Sequence, residues 1–542
     1  MRRWNGWGDE ATIYPLPDSA ARYLADLVGD GPRLEDVSLA QAVAAVGTSR
    51  LSAHPLLSSD PEDRLRHARG QSLPDWVALR SGRIETFPDG VAYPTSDEDV
   101  RALLDYARKV GAKVIPYGGG TSVVGHINPV TGDAPILTMD LSRMNRLLEF
   151  DETSRLAIFE AGVDGPEIEK QLSARGFTLG HFPQSFELST LGGWIVTRSS
   201  GQQSYHYGRI ENLFAGGHIE TPIGGMDLPA HPASAAGPDL KQILLGSEGR
   251  MGVVTRAVVR VRRVPVREKF LGYFFHDWES GTAAVRAIVQ AGLKVSMLRM
   301  SNAMETATTL ALAGKENLIR TADRGLRLLR YGDGRSLLVM GVTDETGNDN
   351  IWQGTKGEAG HIIRTHGGLP TGTTIGRMWK KSRFYAPYLR NTLWEAGYSL
   401  DTLETAVPWS QVAATAGEAQ KAIRAGLADP STGSGQASGE RVLVFAHLSH
   451  VYNDGASIYI TYLYRRANDP DETLRRWHVL KDAASRVILA HGGTISHQHG
   501  VGADHAPYLA AEKGPLGMRA LEALRGTFDP DCMLNPGKLL EK

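Results

Sequence analysis

The sequence predicts an α+β protein of several domains, and three observations lead to this prediction. The chain has 542 residues, which at about 150 residues per domain allows roughly two to four domains. Helical spacing of apolar residues and short alternating strand patterns both recur along it. Glycine is in excess, with 61 residues, and the glycines gather in three clusters. These features together predict sheets and helices that carry glycine-rich loops.

The first elements form a helical region followed by a β-α-β unit. Residues 1–75 are predicted to be mainly helical because apolar residues recur at helical spacing. A short strand is predicted at 91–94, then an amphipathic helix at Asp97–Val110, which has acidic residues in its first turn. Lys113–Pro116 is the second strand of the unit, and it leads directly into a glycine cluster. Such a unit can place main-chain N–H groups against a phosphate.

Later elements continue the mixture. Strands are predicted at 136–139, 156–160 and 251–264, the last because apolar and polar residues alternate along it. A helix is predicted at 164–175. Residues 266–495 mix helices with short strands around Asp429–Gly435, whose composition predicts a flexible loop. No repeat of fixed period is visible.

Charge and cysteine content exclude several classes of protein. The 59 basic and 60 acidic residues give a net charge of −1, so the chain lacks the cationic surplus that binds nucleic acid. Cys532 is the only cysteine, which excludes an intramolecular disulfide and favours a reducing compartment. Neither a secretory signal nor a membrane-spanning apolar run is present. We expect a cytoplasmic protein, with peripheral contact with a membrane left open.

Three glycine loops are candidates for phosphate binding. Residues 116–125 contain three consecutive glycines, then Thr121 and Ser122, whose hydroxyls can donate hydrogen bonds beside converging amides. Residues 183–193 repeat this chemistry without a cation, and 245–254 form the third stretch. The chain has neither the lysine of a phosphate-binding Walker loop nor a G-x-G-x-x-G that opens a helix. A tight turn after a strand is the alternative for the first loop.

The order of these loops resembles the FAD-binding domain of the vanillyl-alcohol oxidase and p-cresol methylhydroxylase (PCMH) superfamily, over roughly residues 90–265. The resemblance implies FAD between two α+β subdomains, a cap domain for substrate, and a C-terminal segment, represented by Phe528–Leu539, that returns to the FAD domain. We therefore divide the chain into a helical region 1–75, an FAD-binding domain 76–265, a cap 266–495 and a C-terminal segment 496–542. The implied cofactor-binding residues are Pro116, Tyr117, Gly118, Gly119, Gly120, Thr121, Ser122, Pro183, Ser185, Ser189, Thr190, Gly192, Gly193, Thr197, Ser199, Glu248, Gly252 and Val253.

Further segments, spread over nearly the whole chain, resemble the alkyldihydroxyacetonephosphate synthase family. The resemblance implies an enzyme that exchanges the acyl group of acyl-dihydroxyacetone phosphate for a long-chain alcohol, making an ether-lipid precursor without net redox change. It also implies non-covalent FAD and a lipid-like small substrate; a homodimer is left open. The segments are Arg3–Asp9, Gly192–Gly201, Tyr207–Leu213, Tyr388–Arg390, Leu403–Trp409 and Ser457–Ile460.

The same resemblance implies four catalytic residues. His497 and His499 match the outer two of three successive histidines, with Gln498 in place of the middle one, and an extended segment would put both on one face. Tyr459 matches an active-site tyrosine, and Arg390 matches an arginine that anchors substrate through its planar fork of donors. The alternatives are histidines that only hydrogen-bond near the flavin, a tyrosine that packs in the core and an arginine on a helix surface.

Other functions are left open on the same residues. An FAD-dependent dehydrogenase or oxidase of a 2-hydroxy acid or polyol phosphate is the main alternative, although such enzymes usually carry Glu-His where this chain has Gln498-His499. A metal site using His497, His499 and His505 lacks a carboxylate or thiolate partner at fixed spacing, so we expect no metal. A flavin-free binding protein would require all three glycine loops to be accidental.

Overall fold

A computed structural model describes residues 1–314, 316–427 and 440–540. The described residues form four β-sheets with helices packed around them. This mixture confirms the predicted α+β class. The loop predicted at 429–435 lies outside the described residues.

The first sheet has four strands and contains the predicted β-α-β unit. The two strands of that unit, Gly90–Ala92 and Lys113–Tyr117, each pair in parallel with Ile136–Asp140, which lies between them, and the helix that connects them spans Asp97–Val110, as predicted. Ser96 caps the start of that helix, and Gly111, with φ +68°, ends it in the left-handed conformation that glycine favours. In sheet order the strands are β1 (Leu57–Ser58), β2 (Gly90–Ala92), β4 (Ile136–Asp140) and β3 (Lys113–Tyr117).

The second sheet is antiparallel and has five strands. Phe159 and Ala257, on two of its three inner strands, are fully buried in a core shared with the helix Leu191–Thr197. A separate two-stranded sheet pairs β11 (Arg262–Arg263) with β7 (Phe177–Thr178). The five strands, in sheet order, are β5 (Leu147–Asp151), β6 (Leu156–Glu160), β10 (Val253–Arg260), β8 (Phe214–Thr221) and β9 (Gly224–Leu228).

The third sheet is the largest, with seven antiparallel strands. Its register places Glu404, Tyr459 and His447 directly opposite one another on three neighbouring strands. Opposed residues of an antiparallel pair share a face, so these three side chains lie on one side of the sheet. In sheet order the strands are β15 (Leu369–Gly372), β12 (Arg267–Phe275), β14 (Ser336–Asp344), β13 (Met297–Ser301), β17 (Leu443–Val451), β18 (Gly455–Arg465) and β16 (Tyr398–Pro408).

Helices cover the sheets and carry part of the site. The last helix is kinked at Gly514, which precedes Pro515. The helices are α1 (Asp18–Val28), α2 (Leu39–Ala44), α3 (Pro61–Arg66), α4 (Leu73–Ser81), α5 (Asp97–Val110), α6 (Gly165–Ser173), α7 (Leu191–Thr197), α8 (Ser204–Tyr207), α9 (Ile210–Leu213), α10 (Lys241–Leu244), α11 (Trp278–Gln290), α12 (Ala303–Leu312), α13 (Glu316–Leu328), α14 (Asp349–Thr365), α15 (Thr374–Ser382), α16 (Ala386–Glu395), α17 (Trp409–Gly426), α18 (Pro470–Ala490) and α19 (Ala506–Phe528).

Residues near each end of the chain contact distant parts of the fold. Leu534 pairs with Val114 on β3, and the Arg250 guanidinium donates to the Leu534 carbonyl at 2.8 Å. Near the other end, the Asn391 side chain on α16 accepts from the Trp7 N–H and donates to the Trp7 carbonyl, both at 3.0 Å. Across the described residues, we find no helix long and apolar enough to cross a bilayer.

Candidate active site

One cavity of about 550 Å³ joins the glycine loops to the seven-stranded sheet. Of the eighteen predicted cofactor-binding residues, Val253 alone does not line it, because that residue is buried in β10. Tyr459, His499 and Arg390 line the same cavity. The structure therefore brings the predicted cofactor residues and three of the four predicted catalytic residues to one space.

The first glycine loop fits a phosphate-bearing cofactor. The N–H groups of Gly119, Gly120 and Thr121 have no protein acceptor among the described residues, although all three residues line the cavity. Unsatisfied amides directed at a cavity suit an anion. The Ser122 hydroxyl is already engaged, since it accepts from the His126 N–H at 3.0 Å and lies 2.8 Å from His126 Nδ1. The free main-chain amides, rather than the Ser122 hydroxyl, are thus the donors that this loop offers to a ligand.

Close contact with the second loop requires glycine at two positions of this loop. A Cβ at Gly119 would lie 1.7 Å from the Leu188 carbonyl oxygen, and one at Gly118 would lie 2.2 Å from the Thr190 hydroxyl. Real Cβ atoms do not approach so closely. The two loops therefore pack backbone to backbone, which holds their cavity-facing groups together. This contact accounts for the first two of the three consecutive glycines, whereas at Gly120 a φ of +63° and the nearby Tyr117 hydroxyl favour glycine.

The second loop is ordered by its own hydroxyls. Thr190 caps α7 through a hydrogen bond from the Gly193 N–H, and the Ser189 hydroxyl accepts from the Trp194 indole N–H at 2.7 Å. Ser199 lies 3.2 Å from His181 Nε2, while the neighbouring Ser200 hydroxyl is buried at the cavity without a hydrogen-bond partner. A buried hydroxyl without a partner is costly unless a ligand satisfies it. This part of the cavity is therefore also suited to a polar ligand.

Glu248, in the third stretch, ties the C-terminal segment to the cavity. Its carboxylate accepts hydrogen bonds from the N–H groups of Val501 and Gly502, the first at 2.5 Å and the second at 2.8 Å. Glu248 has φ +54°, an uncommon conformation for a residue with a side chain. Because those two hydrogen bonds occupy the carboxylate, Glu248 acts on a cofactor indirectly, by holding the C-terminal segment at Val501 and Gly502. Sequence reasoning did not anticipate this link.

Tyr459 and His499 meet on the face of the seven-stranded sheet. Their rings are 5.7 Å apart in an edge-to-face arrangement, and the Tyr459 hydroxyl donates to the Thr402 hydroxyl at 3.1 Å. Burial raises the pKa of Tyr459, so its phenol stays protonated. Burial lowers the pKa of His499, which keeps that imidazole neutral near pH 7. One group can therefore donate a proton while the other accepts one.

Glu404 holds His499, and sequence reasoning missed it. Its Oε1 accepts from the N–H groups of Gln498 and His499, at 2.7 and 2.8 Å, and lies 3.4 Å from His499 Nδ1. A carboxylate beside Nδ1 favours a proton on that nitrogen and leaves Nε2 free to accept one. Glu404 is fully buried. A charged residue in the apolar pattern of β16 was the available signal, since buried carboxylates need a purpose.

The expectation that His497 and His499 share a face is wrong. Gln498 and His499 line the cavity, whereas His497 does not. Residues 497–499 do not form a strand, because the N–H groups of Gln498 and His499 both donate to the Glu404 carboxylate. His497 Nε2 instead faces Arg209 Nη1 at 3.0 Å and the Tyr452 hydroxyl at 2.5 Å. His497 thus lies behind the site.

Arg390 presents free donors to the cavity. One of its nitrogens donates to the Gln71 carbonyl, and its guanidinium lies 4.5 Å from the centre of the Trp76 ring. Its Nε and Nη2 are buried and have no protein partner. Burial lowers the pKa of Arg390, with Asp401 opposing that shift. A held guanidinium with two unused donors is suited to a phosphate or carboxylate.

The far end of the cavity is apolar and is lined by residues that sequence reasoning did not single out. It lies between α12, α16 and the seven-stranded sheet. In the sequence its residues look like ordinary core residues, so no pattern singled them out. Among the described residues, no group of three or more His, Cys, Asp or Glu side chains could hold a metal ion. The apolar residues are Leu312, Leu389, Leu393, Leu400 and Phe445.

Comparisons with known proteins agree with the fold. A model of the FAD binding domain matches residues 88–226, and a model of the C-terminal domain of FAD linked oxidases matches residues 264–539. A solved structure of p-cresol methylhydroxylase with substrate bound has a TM-score of 0.64 at 13% identity and covers 96% of both chains, a likeness of fold alone. These matches confirm the PCMH-type fold and define the class of protein as an FAD-binding enzyme.

More similar proteins give the family. The chain is 31% identical to alkyldihydroxyacetonephosphate synthase of Trypanosoma brucei brucei, over 89% of this chain and 78% of that protein. A solved structure of alkyldihydroxyacetonephosphate synthase has a TM-score of 0.83 at 25% identity and covers 99% of this chain and 98% of its own. The chain belongs to the alkyldihydroxyacetonephosphate synthase family.

Proposed function

We propose that this enzyme converts acyl-dihydroxyacetone phosphate and a long-chain alcohol into the alkyl ether and a fatty acid. The carbon–oxygen bond between the dihydroxyacetone carbon and the acyl ester breaks, and the fatty acid leaves as a carboxylate. A carbon–oxygen bond to the alcohol forms at the same carbon, and the alcohol's proton is released. No electron acceptor is consumed. The observation that carries this proposal is a single cavity with a cofactor end, a buried acid/base pair and an apolar end.

The cofactor end fits FAD held without a covalent bond. The free amides of Gly119, Gly120 and Thr121 would hold the pyrophosphate, together with the second loop's hydroxyls. Cys532, the one cysteine, does not line the cavity, which supports non-covalent binding. When bound, FAD supplies the redox-active ring beside which the exchange takes place.

The acid/base pair supplies proton transfer at the reacting carbon. His499, neutral and with Nδ1 facing Glu404, is the group that accepts a proton from the carbon beside the ketone and returns a proton to that carbon when the ether has formed. Tyr459, protonated and buried beside it, donates hydrogen bonds to developing negative charge. Arg390 anchors the substrate phosphate through its unused Nε and Nη2. His497 lies outside the cavity lining, and its role is to support the site through its contacts with Arg209 and Tyr452.

The apolar end favours the exchange over dehydrogenation of a small hydroxy acid. A 2-hydroxy acid would leave the space between Leu312, Leu393 and Phe445 without an apolar ligand. An alkyl chain buries that surface. A lipid-like substrate also supports the prediction of a cytoplasmic protein that contacts a membrane peripherally; homodimer formation stays a prediction too.

The proposal is tested with FAD-loaded protein under anaerobic conditions. Acyl-dihydroxyacetone phosphate and labelled hexadecanol should yield labelled alkyl ether while an added acceptor dye stays oxidised. Reduction of the dye by D-lactate, glycolate or glycerol phosphate, with no ether product, would assign the dehydrogenase function instead.

A further inference from the structure

A second buried polar group lines the cavity beside the proposed acid/base pair. Arg299 on β13, Glu305 on α12 and His447 on β17 all line it, and neither the glycine loops nor the pair uses them. Arg299 Nη2 donates to Glu305 Oε1 at 2.7 Å, and His447 Nδ1 lies 3.1 Å from the same oxygen. The His447 ring stacks on Tyr459 with 5.0 Å between centres. The group therefore adjoins the reacting residues.

Glu305 has an unused acceptor. Its Oε2 is buried without a hydrogen-bond partner, and the residue is only 5% exposed. Burial opposes ionisation, but Arg299 and His447 lower the pKa of Glu305 to about 2, so the carboxylate stays charged. A buried carboxylate oxygen without a donor is costly. It is satisfied by a ligand that brings a proton.

The position of Glu305 relates this acceptor to the apolar end of the cavity. Glu305, Thr308, Thr309 and Leu312 all line the cavity from α12, at the i, i+3, i+4 and i+7 spacing of one helix face. A chain that lies along this face toward Leu312 has its head group at Glu305. Tyr459 is then near that head group, through the stacked ring of His447.

We propose that Glu305 Oε2 accepts a hydrogen bond from the hydroxyl of the long-chain alcohol and thereby selects an alcohol over a fatty carboxylate. The inference rests on the proposed function, since it assigns one end of the same cavity to the incoming alcohol. A hydroxyl donates to Oε2, whereas an ionised carboxylate has no proton to donate and is repelled by Glu305. Arg299 attracts a carboxylate less because Glu305 and the Ser301 hydroxyl already engage it.

Binding to the FAD-loaded wild-type protein tests this directly. The probes are 1-dodecanol, its methyl ether and laurate, which share one chain length and differ in whether the head group can donate. Because a hydrogen bond to a charged group is strong, dodecanol should bind about tenfold or more tightly than either of the other two. Equal affinities for dodecanol and its methyl ether would overturn the inference.

A variant tests the residue itself. Glu305→Gln removes the charge and frees Arg299, so the preference for dodecanol over laurate should fall about tenfold or more. Glu418→Gln, which changes a carboxylate 62% exposed and outside the cavity lining, should keep the wild-type preference. An unchanged preference in folded, FAD-bound Glu305→Gln would overturn the assignment. Should that variant not fold, the three wild-type affinities still decide the inference.

The inference and the proposed function can fail separately. Ether formation from hexadecanol tests the function, whereas the affinity ratios test only the head-group contact. Ether formation with equal affinities for alcohol and methyl ether would overturn the inference alone. Selective alcohol binding without ether formation would support the head-group contact and contradict the exchange.

Discussion

At the scale of single residues, His499 and Glu404 account for the proton transfer. Burial lowers the pKa of His499 and Glu404 raises it, with burial the larger effect. Only the neutral imidazole accepts a proton, so kcat/KM should be maintained above the His499 pKa and should fall as the pH drops through it. Glu404→Gln removes the group that raises this pKa. The fall of kcat/KM on the acid side of its pH profile, the acid limb, should therefore move to lower pH.

The measurement is a pH profile of kcat/KM for wild type and Glu404→Gln. Glutamine keeps an oxygen for the N–H groups of Gln498 and His499, so the segment should remain in place. Glu418→Gln is the matched control, and its profile should overlay that of the wild type. An acid limb at the same pH in Glu404→Gln would exclude a role for Glu404 in setting the state of His499.

Tyr459→Phe separates chemistry from packing. It removes the hydroxyl that donates to Thr402 and keeps the ring that stacks on His447. Loss of a positioned acid should lower the rate about 10²–10⁴-fold while FAD stays bound. Tyr464→Phe is a control on the same strand, where the hydroxyl is buried but outside the cavity lining. Similar turnover in both variants would leave Tyr459 with a packing role only.

Sequence reasoning reached the site residues unevenly. Tyr459, Arg390 and His499 lie in segments that resemble the family, so their proximity to the cavity could be anticipated. Glu404 could not be paired with His499, because that contact depends on how β16 and the segment after α18 meet in space. The failed alternation of His497 and His499 has the same origin: a contact from another element set the local backbone.

At the scale of elements, the two glycine loops form one unit. Gly119→Ala should abolish FAD retention, since even a methyl group would meet the Leu188 carbonyl at 1.7 Å and separate the loops. Gly132→Ala is the control, because a Cβ there meets nothing within 4 Å. The flavin absorbance of the purified proteins is the measurement. Yellow Gly119→Ala protein with wild-type FAD content would contradict the account of this loop.

Many local elements were predictable, but the prediction that residues 1–75 are mainly helical was wrong. That region is helical only at Asp18–Val28, Leu39–Ala44, Pro61–Arg66 and from Leu73 onward, because prolines and glycines interrupt it. The helix Asp97–Val110 and the strand Leu156–Glu160 have the predicted bounds, because capping residues, glycine and apolar spacing act locally. The order of strands in the seven-stranded sheet was not predictable, since β13 lies between β14 and β17 through contacts distant in sequence. The apolar end of the cavity depends on that order and was therefore missed.

At the scale of the whole molecule, buried histidines should make stability depend on pH. Burial lowers the pKa of His181 and of His450 to about 3, and those of His497 and His505 also fall well below the ordinary value. These groups are neutral when folded and take up protons when unfolded below about pH 6.5. The free energy of unfolding should therefore fall as the pH drops from about 6.5 toward 3.

Buried carboxyls with a raised pKa, Asp504 and Glu169 among them, act in the opposite direction. Burial raises the pKa of Asp504 to about 7, so protonation of this residue favours the folded state as the pH falls from that value. Four histidines should outweigh them. Urea unfolding at pH 7 and pH 5 is the measurement, and equal or greater stability at pH 5 would show that the histidines are not buried as neutral groups.

The division at residues 75, 265 and 495 stays a prediction at this scale. The structure shows why separation of those parts should be difficult, since Trp7 is paired with Asn391 and Leu534 with Val114. Each pair joins residues hundreds of positions apart. We expect the cavity to form only in the complete chain.

In the proposed reaction, an ether bond replaces an ester bond at one carbon without net redox change. The most direct test of this exchange is acyl-dihydroxyacetone phosphate with ¹⁸O in the bridging ester oxygen, incubated with hexadecanol and FAD-loaded enzyme. All of the label should leave in the fatty acid, because the bond on the dihydroxyacetone side breaks. Label retained in dihydroxyacetone phosphate, with the acyl group transferred to hexadecanol or water, would contradict it.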